Sequence, residues 1–307
     1  MSPAKRWSDS LRQRARLIAD IRQFFDNRGF LEVTPPCLHD ECILDRHIDP
    51  MPVGDGLFLQ TSPELAMKRM LVAGSGSIYS LGPVFRAGEC GDQHRPEFWL
   101  LEWYEVGADY SRGLDTLATF SLAILPGDAC ERLSYRRAFV DAIGLDPLDA
   151  SLQQLAALIP DQAFAESLAD HRDDLLDVLL TQFVQPRFQT PTILYDYPLS
   201  QAALAKMSPN DAACAARYEW FAGGVELGNG YDELLDADEL RRRMRDIQAD
   251  RRSRHRPDVR PPDSLVHAMV QGMPASCGVA VGIDRLQMLR GNGKRLMDLM
   301  PPMSTRR

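Results

Sequence analysis

The residues best suited to chemistry are concentrated between positions 84 and 104, where two apolar segments flank a polar loop. Two strands joined by such a loop form an antiparallel hairpin, on which alternate side chains share a face. The side chains that this hairpin can bring to one concave face are Arg86, Glu89, His94, Glu102 and Tyr104. An arginine binds phosphate or carboxylate through paired hydrogen bonds, and a phenylalanine such as Phe98 stacks on a base. From the residue types alone, a surface hairpin with unrelated charges fits equally well.

A second candidate site lies in an acidic, glycine-rich stretch that contains Glu219 and Glu226. Carboxylates seven residues apart share one face of a strand only if a bulge or a turn intervenes. Gly223, Gly224 and Gly228 are the candidates for such irregularities. Carboxylate oxygens are the ligands that Mg²⁺ prefers, so the stretch fits a magnesium site. The alternative is an acidic edge strand without a ligand.

Helices and short strands must position these residues. Apolar side chains at spacings of three and four predict an amphipathic helix over residues 8–28, with Gly29 as its stop. Residues 110–185, rich in Leu, Ala and Asp at helical spacing, predict a mostly helical insertion. The remaining predictions are a strand at Phe30–Thr34, a helix at Pro63–Val72, strands at Thr192–Tyr197 and within Arg217–Leu235, a helix at Asp238–Arg254, and a strand followed by a helix at Gly278–Arg290.

Composition narrows the class of protein. The 307 residues are 45% hydrophobic and 25% charged, which is typical of a globular protein and excludes disordered and fibrous classes. A net charge of −8 argues against a dedicated nucleic-acid binder, and six cysteines without a C-x-x-C pair argue against a zinc knuckle. We find no secretory signal and no apolar run long enough to span a membrane, so we predict a cytoplasmic protein without a membrane segment.

Four stretches, in the expected order and spread over nearly the whole chain, resemble the signature motifs of class II aminoacyl-tRNA synthetases. They are residues 29–35 (GFLEVTP, similar to motif 1), 61–64 (TSPE, similar to the substrate loop of the lysyl and aspartyl branch), 85–104 (FRAGE, then HRPEFWLLEWY, similar to motif 2 in its lysyl form) and 278–285 (GVAVGIDR, similar to motif 3). The resemblance implies an α+β catalytic domain over residues 1–307, with an antiparallel sheet flanked by helices, the helical insertion at about 110–185, and a homodimer formed through motif 1. Because only about thirty residues precede motif 1, we expect no anticodon-binding domain.

The resemblance also implies ATP and Mg²⁺ as cofactors. Arg86 would contact the α-phosphate and the substrate carboxylate, Arg285 the γ-phosphate and His94 the triphosphate, with Phe98 under the adenine. The residues expected around ATP are Arg86, Ala87, Gly88, Glu89, His94, Arg95, Phe98, Glu226, Leu227, Gly282 and Arg285. Glu219 and Glu226 would hold Mg²⁺ beside the phosphates, which favours the functional interpretation of the acidic stretch.

A lysine-like amino acid is the implied substrate. Glu102, Tyr104 and Glu233 would surround its side-chain ammonium group, because a buried ammonium must be paired. Ser62 and Glu64 would face its other amine, and Pro63 and Ala280 complete the expected substrate-binding set.

Two departures from the lysyl pattern refine the resemblance. Ala87-Gly88 replaces the Asn-Glu that follows the motif 2 arginine in lysyl enzymes, and Arg95 stands where they have Asn. The FRAGE variant, the LEWY ending and Ala280, where tRNA enzymes tend to have glycine, resemble lysyl-like enzymes that attach (R)-β-lysine to a lysine of elongation factor P. One extra methyl in a tight pocket discriminates by roughly 1–3 kcal/mol. We therefore predict activation of β-lysine or lysine as an adenylate, elongation factor P as the protein partner, and no tRNA substrate.

Two other functions, and the role of one surface, stay open at this point. The chain could be a minimal lysyl-tRNA synthetase-like enzyme that activates α-lysine, or a non-catalytic paralogue that senses an amino acid. Residues 241–260 contain nine arginines, which predict either a solvated helix face with pairs such as Asp238 and Arg242, or a surface for an acidic protein or RNA.

Overall fold

The chain forms two compact units. The computed structural model describes residues 3–291 together with 293, 295, 296 and 299. Unit 1 comprises the described residues up to Asp109 and from Glu233 onward, and unit 2 comprises Tyr110–Asp232. The four motif-like stretches all lie in unit 1. None of the described helices is long and apolar enough to cross a membrane.

The elements follow one another in chain order as short strands separated by helices. In the first part of unit 1 they are α1 (Pro3–Asp26), β1 (Leu31–Glu32), β2 (Leu38–His39), β3 (Met51–Gly54), β4 (Leu57–Leu59), α2 (Glu64–Val72), β5 (Ile78–Phe85) and β6 (Glu97–Val106). In unit 2 they are α3 (Tyr110–Ile124), β7 (Glu131–Ser134), α4 (Tyr135–Ile143), α5 (Leu152–Ala156), α6 (Gln162–Ser167), α7 (Arg172–Leu179), β8 (Thr192–Pro198), β9 (Cys214–Ala222) and β10 (Val225–Asp232). In the second part of unit 1 they are α8 (Ala237–Ser253), α9 (Asp263–Val270), β11 (Ser276–Gly282) and α10 (Ile283–Arg290).

The sheet of unit 1 has the strand order β1-β5-β6-β11, and β2, β4 and β3 form a separate antiparallel sheet. β5 and β6 pair antiparallel from Phe85 opposite Glu97 to Ile78 opposite Tyr104, which confirms the predicted hairpin. β1 is parallel to β5 and only two residues long, shorter than the predicted strand. Pro35 and Pro36 follow it closely and have no N–H for a ladder.

Unit 2 contains its own four strands in the order β7-β8-β9-β10. β7 is parallel to β8, whereas β8, β9 and β10 pair antiparallel. The helices between residues 110 and 179 cover a core in which Tyr135 stacks on Phe139 and contacts Tyr197. The α+β class is confirmed, and the largely antiparallel pairing is joined by parallel pairs at β1 and β7.

α1 shows how far an amphipathic pattern determines burial. Leu17, Ile21 and Phe25, spaced four residues apart, are buried, and the Phe25 ring stacks on Tyr79 at 4.7 Å between centroids. Leu11 belongs to the same periodic stripe, yet it is 61% exposed. The buried apolar side chains among those described for α1 therefore lie in its second half, whereas Ser10 and Arg14 of the first half make polar contacts with unit 1.

The arginine-rich stretch is not a uniformly solvated surface. Arg242 is exposed and pairs with Glu239 and Asp246, while Asp238 pairs with Arg241 rather than with Arg242 as predicted. Arg251 is the clear exception, since only 3% of its side chain is exposed. The hypothesis of a solvated face is therefore wrong for this residue, because its guanidinium is directed into unit 1.

Arg251 connects α8 to the segment between β2 and β3. Its Nη1 donates to the carbonyl oxygens of Asp45 and Ile48 at 2.8 and 2.9 Å, and its Nη2 lies 2.7 Å from Asp49 Oδ1. The carbonyl oxygen of Asp49 in turn accepts a 2.8 Å hydrogen bond from the N–H of Ala87. The segment 45–49 is thus held on one side by Arg251 and supports the residue after Arg86 on the other.

We expect the Arg251→Met variant to lose roughly 1–3 kcal/mol of unfolding free energy, because it leaves the carbonyl groups of Asp45 and Ile48 without this donor, while Asp49 keeps its ion pair with Arg256. Urea unfolding followed by circular dichroism measures this loss. Arg242→Met is the matched control on the exposed face of the same helix and should unfold near the wild-type midpoint. Equal midpoints for the two variants would contradict the assignment of Arg251 as a buried anchor.

Candidate active site

The candidate site is built on one face of β6 and β11. Glu102 and Tyr104 are two residues apart on β6 and therefore share a face. Their antiparallel partners on β11 are Ala280 and Gly278. Cross-strand partners point to the same side of a sheet, so the small residues Ala280 and Gly278 lie beside Glu102 and Tyr104.

Three carboxylates and one ammonium group lie together on this face. Lys68 Nζ, from α2, is 2.5 Å from Glu64 Oε1 and 2.7 Å from Glu233 Oε2. Lys68, Glu102 and Glu233 are buried, with exposed fractions of 2%, 2% and 1%. The Lys68–Glu233 contact has the distance of an ion pair but not the alignment of a hydrogen bond. The cluster thus concentrates formal charge where water is excluded.

Glu102 is held by two hydroxyl donors. Ser62 Oγ donates to one carboxylate oxygen and Tyr104 Oη to the other, each at 2.5 Å. Ser62 Oγ also accepts from the N–H of Glu64 at 3.1 Å, at the turn that begins α2. The three hydrogen bonds fix Glu102 and bring the 61–64 loop against β6.

Burial raises the pKa of Glu102 to about 7, and the charge of Glu64 adds to the increase, while Ser62, Tyr104 and Lys68 oppose it. Burial also raises the pKa of Glu233 to about 8, against the opposing influence of Lys68 and with further increases from Glu64 and Glu102. The pKa of Tyr104 is raised well above 10, first by burial and then by the neighbouring carboxylates. The phenol is therefore a permanent donor near neutral pH.

Gly278 is required by close packing at this site. A Cβ atom at this position would lie 2.3 Å from Glu233 Oε1 and 2.5 Å from Tyr104 Cε1. Neither group can move aside freely, since both are buried. Glycine at 278 therefore allows Tyr104 and Glu233 to approach the strand.

Arg86 lies at the end of β5, next to the cluster. Its guanidinium carbon is 4.9 Å from the centre of the Phe98 ring, and its Nε donates to the carbonyl oxygen of Thr61 at 3.4 Å. Glu89 is 3.5 Å from the guanidinium, and Gly88 between them has a φ of +77°, which glycine adopts without strain. Arg86, Glu89 and Phe98 therefore lie together in the structure.

Arg285 and His94 form a second cationic group. Arg285 Nη2 is 2.6 Å from His94 Nε2, and Arg285 Nε donates to the carbonyl oxygen of Gln93. The adjacent Asp284 is buried, accepts from Arg14 Nη1 at 2.5 Å and accepts from the N–H of Trp99 at 3.3 Å. α10 is thereby fixed to α1 and to β6, with Arg285 directed at the motif 2 loop.

Unit 2 holds the two carboxylates predicted for magnesium. A turn at Gly223 and Gly224 and a register shift between Glu226 and Gly228 interrupt the β9–β10 ladder, as the spacing required. Glu219 accepts from Tyr197 Oη and from Arg217 Nη2, each at 2.6 Å. These contacts position the buried Glu219 carboxylate on β9.

The charge environment of Glu219 fits a cation. Burial raises the pKa of Glu219 to about 7, Arg217 opposes this increase, and the charge of Glu226 adds to it. Two hard carboxylate ligands in mutual repulsion suit Mg²⁺, which usually takes one or two protein carboxylates together with water and phosphate oxygens. Within the described ranges no cluster of three or more acidic, His or Cys side chains forms a metal cage.

The other predicted residues occupy varied positions. Pro63 is the residue before the first turn of α2, Arg95 is half-buried in the loop before β6, and Gly282 ends β11. Leu227 is 2% exposed in β10. Its side chain therefore packs in the core of unit 2.

Sequence analysis missed Lys68, Arg14 and Gly278. Lys68 stands four residues after Glu64 in a predicted helix, and this i,i+4 spacing was a usable signal for the ion pair. Arg14 carried no such signal, because its partner Asp284 is 270 residues away.

This fold and these motifs define a class of enzyme, and comparison with known proteins agrees. The family model of class II tRNA synthetases (D, K and N) matches residues 3–301. The chain therefore belongs to the class II aminoacyl-tRNA synthetase family.

Curated relatives narrow the similarity within that family. An elongation factor P–(R)-β-lysine ligase of Yersinia enterocolitica is 40% identical over 318 aligned residues, which cover 98% of each chain. The ligase of the same name from Sodalis glossinidius is 39% identical over 318 residues, again with 98% of both chains covered.

We expect Gly278→Ala to raise the KM for the amino acid by at least about tenfold, because the added methyl displaces Tyr104 or Glu233. The KM for ATP should change little, since Arg86, His94 and Arg285 are not contacted. Gly82→Ala on β5 is the matched control, because a Cβ there meets nothing within 4 Å. A parallel rise of both KM values in Gly278→Ala would instead indicate general misfolding.

The ligand-free protein should lose stability as the pH rises from about 5.5 to about 8.5. The folded-state pKa values of Glu102 and Glu233, about 7 and about 8, lie above the ordinary value of 4.5. The folded state consequently binds more protons than the unfolded chain in this window, and stability falls with each proton released. Lys68 does not offset the slope, because its raised pKa keeps it charged throughout.

Differential scanning calorimetry across this pH range measures the effect. Glu102→Gln should flatten the decline in unfolding temperature. Glu97→Gln, which changes an exposed carboxylate on the same strand, should leave it unchanged. Identical pH profiles for both variants would show that the buried cluster is not the source of the decline in unfolding temperature.

Proposed function

We propose that this protein activates (R)-β-lysine with ATP and transfers it to the ε-amine of a lysine on elongation factor P. The observation that carries the proposal is the buried cluster of carboxylates and a phenol beside Gly278 and Ala280, with Arg86 adjacent to it. Such a cluster suits a ligand with ammonium groups, and an adjacent guanidinium suits its carboxylate. The names of the two relatives support this substrate and this acceptor.

In the first step, the substrate carboxylate attacks the α-phosphorus of ATP and pyrophosphate leaves, giving an aminoacyl adenylate. Arg86 neutralises charge on the α-phosphate and orients the carboxylate, while Arg285 and His94 bind the outer phosphates. Catalysis is then positioning and charge stabilisation, without a covalent bond to the enzyme. In the second step, the acceptor amine attacks the adenylate carbonyl, forming an amide and releasing AMP.

Glu219 and Glu226 are the proposed ligands of Mg²⁺. The metal would supply charge neutralisation on phosphate oxygens. The structure supports the assignment through the repulsion between these two carboxylates and through the hydrogen bonds that orient Glu219. Arg217 limits the negative charge of the pair, which suits a metal that retains several water ligands.

Ala280 is the proposed selector between β-lysine and α-lysine. It lies opposite Glu102, so its methyl group borders the amino-acid site. An added methyl removes volume at that point, which disfavours one position of the amino group relative to another. The expected discrimination is about tenfold or more.

A homodimer in the cytoplasm completes the proposal. Leu11, Leu31 and Leu38, within or close to the motif 1 region, are large apolar side chains with 61%, 57% and 47% exposure. Their exposure supports burial against a second copy, and sedimentation velocity of the full chain tests it, since a monomer would refute it. A translation factor as acceptor supports the cytoplasm as the compartment.

Amino-acid-dependent ATP–pyrophosphate exchange without tRNA tests the activation step. We expect exchange with (R)-β-lysine to exceed exchange with α-lysine, and Ala280→Gly to reduce the difference by about tenfold. Addition of elongation factor P should then yield an acceptor whose intact mass increases by one lysyl group. Arg285→Ala should abolish exchange, whereas Arg290→Ala on the same helix, paired with Asp20 at the surface, should not.

The outcomes separate the candidate functions. Preference for α-lysine, with transfer to tRNA and none to elongation factor P, would favour a minimal tRNA synthetase. Binding of an amino acid without exchange would favour a sensor. Exchange that survives in Arg285→Ala would refute the role assigned to Arg285.

A further inference from the structure

Lys68 is a buried charged residue to which the proposed reaction assigns no role. It lies within α2, 2% exposed, with Leu65, Met67 and Leu71 of the same helix also buried. A lysine rarely occupies such a position unless it is paired. Its partners, Glu64 and Glu233, are the residues predicted to bind two different amines of the substrate.

The formal charges of the cluster do not balance. Glu64, Glu102 and Glu233 together can carry three negative charges, and Lys68 supplies one positive charge. Tyr104, the remaining titratable group that faces Lys68, lies with its ring centre 5.9 Å from Nζ and stays neutral. The excess is therefore two negative charges, and unpaired buried charge is costly.

Two kinds of positive charge can remove this excess. In the free protein, protons on Glu102 and Glu233 can do so, which agrees with the raised pKa of each group. In the complex, the ligand's ammonium groups can do so. Glu233 Oε2 retains acceptor capacity, because it lacks an aligned hydrogen bond among the described residues.

We propose that Lys68 is a positioning residue of the amino-acid site. It holds Glu64 and Glu233 in place, and its single positive charge leaves the cluster able to accept two ammonium groups. The inference rests on the proposed function, since it concerns the same site. A lysine or β-lysine molecule brings two ammonium groups and one carboxylate, for which Arg86 is available. A monoamine with the same chain length leaves one carboxylate to be neutralised by a proton.

The geometry gives Lys68 a role beyond general stability. Its single ammonium group contacts a carboxylate on its own helix and one that follows β10, and so it fixes the distance between two ligand-binding groups. Without Lys68, Glu64 and Glu233 would repel each other, and Glu233 would hold its proton more tightly. The amino-acid site would then change both in shape and in charge, while the Arg86 and Arg285 regions would retain their contacts.

The central experiment compares Lys68→Met with Lys68→Arg and with the control Arg69→Met, which changes the next, exposed residue of α2. We expect Lys68→Met to raise the KM for the amino acid at least about tenfold at unchanged KM for ATP. Its amino-acid KM should improve with rising pH more steeply than that of the wild type, because Glu233, without the charge of Lys68 beside it, must first lose its proton. Lys68→Arg should recover part of the affinity, and Arg69→Met should behave as wild type.

Calorimetric titration in two buffers of different ionisation enthalpy counts the protons released on binding. At neutral pH the wild type should release protons when it binds α-lysine and fewer when it binds norleucine, which lacks the side-chain amine. Lys68→Met should release more protons than the wild type with the same ligand, since its cluster starts with more of them. This measurement needs no ATP and reports on charge rather than on activity.

The outcomes distinguish the two hypotheses. If the wild type catalyses exchange but Lys68→Met keeps the wild-type amino-acid KM, pH profile and proton release, the role of Lys68 is overturned and the proposed function stands. If the wild type shows no exchange, the proposed function is refuted, and this result does not depend on the role of Lys68. If Lys68→Met does not fold, the wild-type titrations decide, and equal proton release with lysine and norleucine overturns the inference.

Discussion

Buried carboxylates need positive charge within contact distance, and unit 1 is organised around this requirement. Glu102 and Glu233 lie almost without solvent contact on the sheet, and Lys68 is their nearest permanent cation. Desolvation works against each of these charges, so the arrangement persists only because donors from α2, the 61–64 loop and β6 converge on it. The same donors give the site its shape. In an enzyme that binds a dibasic amino acid, the need to pair buried charges can thus provide both substrate selectivity and a well-ordered site.

Contacts between distant parts of the sequence support the groups assigned to ATP. Arg251 of α8 holds the 45–49 segment, whose backbone supports Ala87, and Arg14 of α1 holds Asp284, next to Arg285. In both cases an arginine with little exposed surface holds a group that adjoins a phosphate-binding candidate. Asp284 is the sequence neighbour of Arg285, and the backbone of Asp49 bonds to Ala87, the residue after Arg86. Preorganised charge of this kind is what adenylation requires, because the enzyme supplies no nucleophile of its own.

Sequence analysis was most successful where the determining interactions are local. The β5–β6 hairpin, α2 and the β11–α10 unit follow from alternation, glycine position and helical spacing, and all three were predicted. Arg251 was misjudged because an arginine in a polar helix has the same local pattern whether its partner is water or the 45–49 segment. Leu11 was misjudged in the opposite direction, as buried although it is exposed. An apolar stripe predicts which face of a helix is buried, but not how far along the helix the surface that covers it extends. The parallel edges of β1 and β7 depend on pairing between distant strands, which spacing does not encode.

Successive side chains of β11 alternate between the core and the candidate site. Val279 and Val281 are 2% and 0% exposed and belong to the core, whereas Gly278 and Ala280 alternate with them and lie opposite Tyr104 and Glu102 of the candidate site. Changes in side-chain volume at the second set leave the first set untouched. Evolution can therefore retune which diamino acid is accepted through single substitutions that cost the fold little. Position 280 already carries a methyl group, whereas a Cβ atom at position 278 would collide with Glu233 and Tyr104, so of these two positions only 280 has room for a side chain.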